Sequence, residues 1–247
     1  MKETRILMGM PVTIEIVDGT EAVVEKIFDY FAAVDERFST YKKTSEISAI
    51  NRGALKKEQW SEDMRTIFAL AEETKRATDG YFDIARADGT YDPSGIVKGW
   101  AIWNAARMIE SGGDKNFYVD AGGDVQTHGR NAEGTQWSVG IKNPWNEKEN
   151  VKIVHLSGEG IATSGTYVRG LHIYNPKRSY EPANDIMSLT VVGPNVYEAD
   201  RFATAAFAMG RAGIEFIERL DGFEGYMIDG EKIATMTGGF EQYLAAD

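Results

Sequence analysis

Helical and strand-like patterns occupy separate parts of this chain, and that segregation restricts the folds open to it. Glu21 to Arg37 places Val23, Val24, Ile27, Phe28, Phe31 and Val34 at helical spacing. Glu62 to Thr78 and Ile96 to Glu110 continue the helical part, ended by Asp79-Gly80 and Gly112-Gly113. A short helix is expected at Ser45 to Asn51. Strand patterns then dominate: Phe117 to Gln126, Trp137 to Lys142, Val151 to Ser157, Gly160 to Ser164, Leu171 to Tyr174 and Met187 to Gly193. Arg5 to Val17 reads as an opening strand bent at Gly9 and Pro11. Asn195 to Met209 and Gly213 to Leu220 read as helices, and Gly225 to Asp229 with Lys232 to Thr235 as a hairpin closed at Asp229-Gly230. Segregated rather than alternating elements argue for an α+β fold with largely antiparallel sheets. No composition break or linker divides residues 1–247, which are read as a single domain.

Composition removes several functions. A formal charge of −11 without a basic stripe argues against nucleic-acid binding and against a polybasic membrane anchor. The absence of cysteine excludes disulfides, thiolate metal sites and a cysteine nucleophile. No apolar run approaches membrane-spanning length, so membrane insertion is not expected. The opening residues alternate like a strand and lack the apolar core of a signal peptide, which gives a cytoplasmic location as the expectation.

Four stretches carry groups suited to chemistry. In "EADRFATAAFAMG", Glu198 to Gly210, Asp200 and Thr204 project from one face of an otherwise apolar helix. A carboxylate and a hydroxyl at that spacing suit a hard cation such as Mg²⁺. They equally suit helix capping and back-bonding to the i−4 carbonyl. In "YDPSGIVKGWA", Tyr91 to Ala101, Lys98 in the first turn of a helix fits an anion site, or an ordinary Ser/Pro helix start. "VDAGGDVQTHG", Val119 to Gly129, offers Gly122-Gly123-Asp124, either a close backbone approach to a ligand or a β-bulge. "GIATSGTYVRGLHIYNP", Gly160 to Pro176, contains Thr163, Ser164, Gly165, Arg169 and His172. His172 is a candidate base or a hydrogen-bonded structural residue. Ser164 lies outside any G-x-S-x-G elbow.

In this order, "LMGMPVTIEI", "FSTYKKTSEISAINR", "DGYFDIA", "DPSGIVKGWA", "VDAGGDVQTHG", "WSVGIKNP", "IATSGTYVRGLHIYNP" and "EADRFATAAFAMG" resemble the successive motifs of the ApbE family of FAD:protein FMN transferases. The resemblance runs from Leu7 to Gly210. It implies an ApbE-like, T-fold-related α+β domain with mainly antiparallel sheets flanked by helices. It implies Mg²⁺ bound by Asp200, Thr204 and the backbone carbonyl of Gly95. It places the substrate FAD against Met8, Gly9, Met10, Tyr41, Lys98, Gly122, Gly123, Asp124, Thr163, Ser164 and Gly165. His172 and Asp200 become the catalytic candidates. The partner implied is a flavin-acceptor protein with a threonine in a D-x-x-x-[ST]-[GA]-[AS]-T-like segment; none is visible in this chain. The implied reaction moves FMN from FAD to that threonine and releases AMP. Hydrolysis of FAD to FMN and AMP, or FAD binding without catalysis, are the alternatives.

The chain departs from the family pattern at four points. It shows neither the usual secretion signal nor a lipobox. Only "RADGTY" separates "DGYFDIA" from "DPSGIVKG", where longer members carry several dozen residues more. Met10 replaces the threonine of M-G-T, and Asn175 replaces the aspartate of H-I-x-D-P.

Overall fold

The computed structural model describes residues 1–166, 174–178, 181–182 and 185–244. Its first elements are strands β1 (Lys2–Leu7) and β2 (Met10–Ile16), followed by helices α1 (Glu21–Phe38), α2 (Glu46–Asn51), α3 (Glu62–Ala77) and α4 (Ser94–Ser111). Strands β3 (Phe117–Ala121), β4 (Asp124–His128), β5 (Trp137–Asn143), β6 (Asn146–Leu156) and β7 (Gly160–Gly165) come next. The two-residue strands β8 (Tyr174–Asn175) and β9 (Glu181–Pro182) precede β10 (Ile186–Gly193). Helices α5 (Val196–Ala208) and α6 (Gly213–Glu218) and strands β11 (Glu224–Asp229) and β12 (Ala234–Met236) close the fold.

Among the described residues, eight strands form one sheet in the order β1-β2-β3-β4-β7-β10-β11-β12, with every neighbouring pair antiparallel. β5 and β6 pair separately as a hairpin. Alternation along the strands sends successive side chains to opposite faces. Ala162, Val191 and Met227 pack with α5 and α6, while their neighbours Ile161, Val192, Tyr226 and Ile228 pack toward β5 and β6. A third cluster joins β2 and β3 to α1, α3 and α4 through Ile14, Val119, Phe31, Ile67 and Ile102. The sheet is thus covered by helices on one face and, over part of the other, by the hairpin. No helix among the described residues is long and apolar enough to cross a membrane.

Helix ends follow local chemistry. Ser61 accepts from Met64 N–H at the start of α3, and Asn195 accepts from Glu198 N–H at the start of α5. Two expected strands are each divided. The opening run is a β1–β2 hairpin, because Met8 and Gly9 both take positive φ (52° and 73°) and reverse the chain. The run from Phe117 onward is a β3–β4 hairpin. Gly122 and Gly123 occupy its two central positions with φ of 63° and 94°, a pairing that matches the twist of a two-residue turn. That turn stands where the sequence also allowed a β-bulge, and it leaves both glycines on the cleft.

Candidate active site

Helices α4 and α5 meet along a line of glycines on one side and oxygen-bearing residues on the other. A methyl carbon placed at Gly99 would lie 2.6 Å from Asp200 Cβ and 2.9 Å from the Val196 carbonyl oxygen. One placed at Gly95 would lie 3.2 Å from Thr204 Cγ2. The two glycines are four residues apart, as are Asp200 and Thr204, so both pairs stay in phase along the contact. Gly99 N–H donates to Asp200 Oδ2 at 2.8 Å. Asp200 and Thr204 thus face a neighbouring helix that carries no side chains at those positions. Asp200 is 3% exposed and lies well inside α5, beyond the capping position held by Asn195.

A cleft of about 1090 Å³ opens above this contact. Its floor includes Gly95, Lys98, Asp124, Thr163, Ser164, Gly165, Asp200 and Thr204. The β3–β4 turn brings Asp124 in: its Oδ1 accepts from Thr163 N–H at 3.0 Å, and Lys98 Nζ lies 2.6 Å from its Oδ2. Lys98 Nζ is also 3.8 Å from Asp200 Oδ1. Ser164 Oγ and Thr204 Oγ1 are 3.5 Å apart. Burial pushes the Asp200 carboxyl well above the usual carboxylate range; Lys98 opposes the shift and Asp124 adds to it.

Other residues of the cleft were given no role from the sequence. Asp120, on β3, accepts from Gly123 N–H at 2.8 Å and is pushed up to about 6, first by burial and then by the Asp124 charge. Tyr118 and Trp137 form an edge-to-face pair with ring centres 5.1 Å apart on another wall. Strand residues facing a cleft alternate just as core residues do, so periodicity does not separate them. Gln126 supports the floor from beneath. Its Oε1 accepts from Val196 N–H and its Nε2 donates to the Gly158 carbonyl, both at 2.8 Å, which fixes the start of α5 against the sheet.

Gly9, Met10, Gly122 and Gly123 also line the cleft, as the sequence suggested. Tyr41 is 96% exposed, and neither it nor Met8 lines the cleft. His172 and Arg169 lie outside the described residues. The short 86–91 segment folds as a tight turn, with an Ala85–Tyr91 bridge and an Arg86–Asp92 ion pair. Asn51 holds Tyr91 by two hydrogen bonds to its backbone. Beside that turn the cleft wall is made by Tyr81, Phe82, Tyr174 and Pro176.

The donors present fit a hard divalent cation. Asp200, the Thr204 hydroxyl and the Gly95 carbonyl are oxygen ligands of the kind Mg²⁺ prefers, and few protein ligands are needed because the ion keeps waters. No cluster of three or more His, Cys, Asp or Glu side chains suited to a metal occurs among the described residues. Asp124 and Asp200 face one ammonium, so added positive charge is favourable at this floor.

The sequence profile of the ApbE family matches residues 8–90 and 86–227. The FAD:protein FMN transferase of Salmonella typhimurium is 31% identical over 168 residues, 63% of this chain and 48% of that protein. Its counterpart from Escherichia coli K12 is 30% identical over the same shares. The chain therefore spans about half the length of the curated relatives it matches. The flavin transferase ApbE from Vibrio cholerae superposes with a TM-score of 0.85 at 22% identity, covering 99% of both chains. The ApbE protein from Thermotoga maritima gives 0.85 at 20% identity, over 100% of this chain and 99% of that one. These structural likenesses carry the fold, antiparallel sheet and flanking helices included. With the profile covering most of its length, the chain belongs to the ApbE family.

Proposed function

We propose that this chain transfers the FMN moiety of FAD to a threonine hydroxyl of an acceptor protein and releases AMP. The supporting observation is the pair of buried Asp200 and half-buried Thr204 set against Gly95 and Gly99 at the floor of a cleft large enough for a dinucleotide. The names of the curated relatives and the family membership point to the same reaction.

On this reading Asp200, Thr204 and the Gly95 carbonyl hold Mg²⁺, which when bound supplies a Lewis acid for the phosphate oxygens. Lys98, at the first turns of α4, adds positive charge toward the diphosphate. The hairpin glycines Gly122 and Gly123 let the backbone come close to the substrate. The threonine oxygen forms a bond to the FMN-side phosphorus as the bond to the AMP oxygen breaks. His172 is assigned to take the hydroxyl proton, a role inherited from the family motif.

The test is incubation of the full chain with FAD, Mg²⁺ and a protein bearing the acceptor segment. Covalent flavin fluorescence on the acceptor is expected, and Asp200→Ala is expected to abolish it while circular dichroism stays unchanged. Free FMN and AMP in place of labelled acceptor would point to hydrolysis. Unaltered transfer by Asp200→Ala would falsify the metal assignment.

A further inference from the structure

The two carboxylates on the floor are held alike. Asp200 accepts Gly99 N–H on Oδ2 at 2.8 Å, and Asp124 accepts Thr163 N–H on Oδ1 at 3.0 Å. The remaining oxygen of each faces the same ammonium. Lys98 Nζ stands 2.6 Å from Asp124 Oδ2 and 3.8 Å from Asp200 Oδ1. The three side chains are only 15%, 1% and 5% exposed, in the order Lys98, Asp124, Asp200. Attraction between such groups is far stronger here than in water. The ammonium sits off-centre, and the oxygen it holds less closely belongs to the residue assigned to the metal.

We propose that Lys98 is a tethered counter-cation that competes with the divalent metal for Asp200, and that Asp124 is the positioning residue that draws it aside. This inference rests on the metal assignment made above. An ammonium and a divalent ion on one carboxylate repel each other, so Lys98 must be drawn off for the metal to bind well. Asp124 gives it a second acceptor within reach of its flexible stem. Without metal, the same ammonium keeps two neighbouring carboxylates from repelling one another across the floor. Asp124 thereby sets metal affinity without being a ligand, and Lys98 holds the site's shape when the metal is away.

The experiment titrates Mn²⁺ alone, without FAD, into the full chain and reads free Mn²⁺ by electron paramagnetic resonance. Thermal unfolding is followed in parallel with chelator and with saturating Mn²⁺. Asp124→Asn should weaken Mn²⁺ binding about tenfold, because the ammonium turns to Asp200. Lys98→Met should strengthen it by about the same factor while lowering the melting temperature in chelator more than in Mn²⁺. Lys98→Gln, which keeps a polar group without charge, should move affinity in the same direction and serves if the methionine variant does not fold. Adding Lys98→Met to Asp124→Asn should recover affinity. Asp124→Asn should cost little in the Lys98→Met background, where no ammonium remains to turn to Asp200; an equal loss in both backgrounds would mean that Asp124 acts by its charge alone and would overturn the positioning role. Weaker or unchanged binding in both Lys98 variants, or unchanged binding in Asp124→Asn, would overturn the proposal. Asp200→Ala is the control: if it binds Mn²⁺ as the parent does, the metal assignment itself fails.

Discussion

At the floor of the cleft, α4 and α5 approach until Gly99 has no room for a methyl group, its neighbours being Asp200 Cβ and the backbone oxygen of Val196. At the rim, Gly140 of β5 is crowded just as closely, but only by the side-chain atoms of Asn150, an exposed residue. The distances are similar and the consequences differ. Backbone of a packed helix cannot yield without moving the elements behind it, whereas a surface side chain changes rotamer at small cost. The floor is therefore a fixed frame for charge, and the rim an adjustable wall. The buried carboxylates sit where the frame is rigid, so their positions are held by packing and by backbone N–H groups.

The largest test of that contrast is Gly99→Ala, expected to destabilise the fold by about 3 kcal/mol in urea unfolding, because overpacking against backbone has no easy relief. A cost below about 1 kcal/mol would show that the helices can part, and the rigid floor would be lost as an explanation. Next comes Asp120→Asn. Burial raises the folded-state value of Asp120 from 3.8 to about 6, so the folded chain binds its proton more tightly than the unfolded chain. Its contribution to stability is greatest at low pH and declines as pH rises from about 4 to about 6. The decline should be on the order of 2 kcal/mol in metal-free protein, and the asparagine variant should remove that part of the slope. Urea midpoints at the two ends of the window measure it; an unchanged slope would mean that Asp120 is better solvated than its position indicates.

Gly140→Ala should change stability by less than about 0.5 kcal/mol, since Asn150 can swing toward solvent. A cost equal to that of Gly99→Ala would erase the distinction between floor and rim. The smallest effect is expected from Tyr41→Ala, which should alter FAD affinity, followed by flavin fluorescence, by less than about twofold, as an exposed side chain off the cleft contributes little. A larger loss would extend the binding surface beyond the cleft wall.

The helices at the floor were the most legible part of the chain. Asp200 and Thr204 stand out because oxygen groups four apart interrupt an apolar stretch, and Lys98 stands out beside Gly95 and Gly99 near a helix start. The rim was far less legible. Asp120, Tyr118 and Trp137 belong to strands whose alternation is the same whether they face a core or a ligand. Gln126 lies within a quoted motif but was given no role, as that role depends on meeting Val196 N–H, 70 positions along the chain. The turn at Met8-Gly9 was read only as a bend at Gly9 and Pro11, and that at Gly122-Gly123 only as a close approach or a bulge within one strand, because apolar alternation resumes in phase on both sides.

From the order of its residues alone, the chain fixes which segments coil, which extend, and which side chains share one face of a helix. These are consequences of local backbone geometry, whose repeat lengths are set within a few bonds. Which carboxylates meet, and which lysine stands between them, was decided only by folding. Gly99 and Asp200 lie 101 positions apart, and their contact depends on two helices being pressed against one sheet by cores that lie elsewhere in the chain. Local periodicity holds no record of that distance, so the charge balance of the floor became visible only in the packed structure.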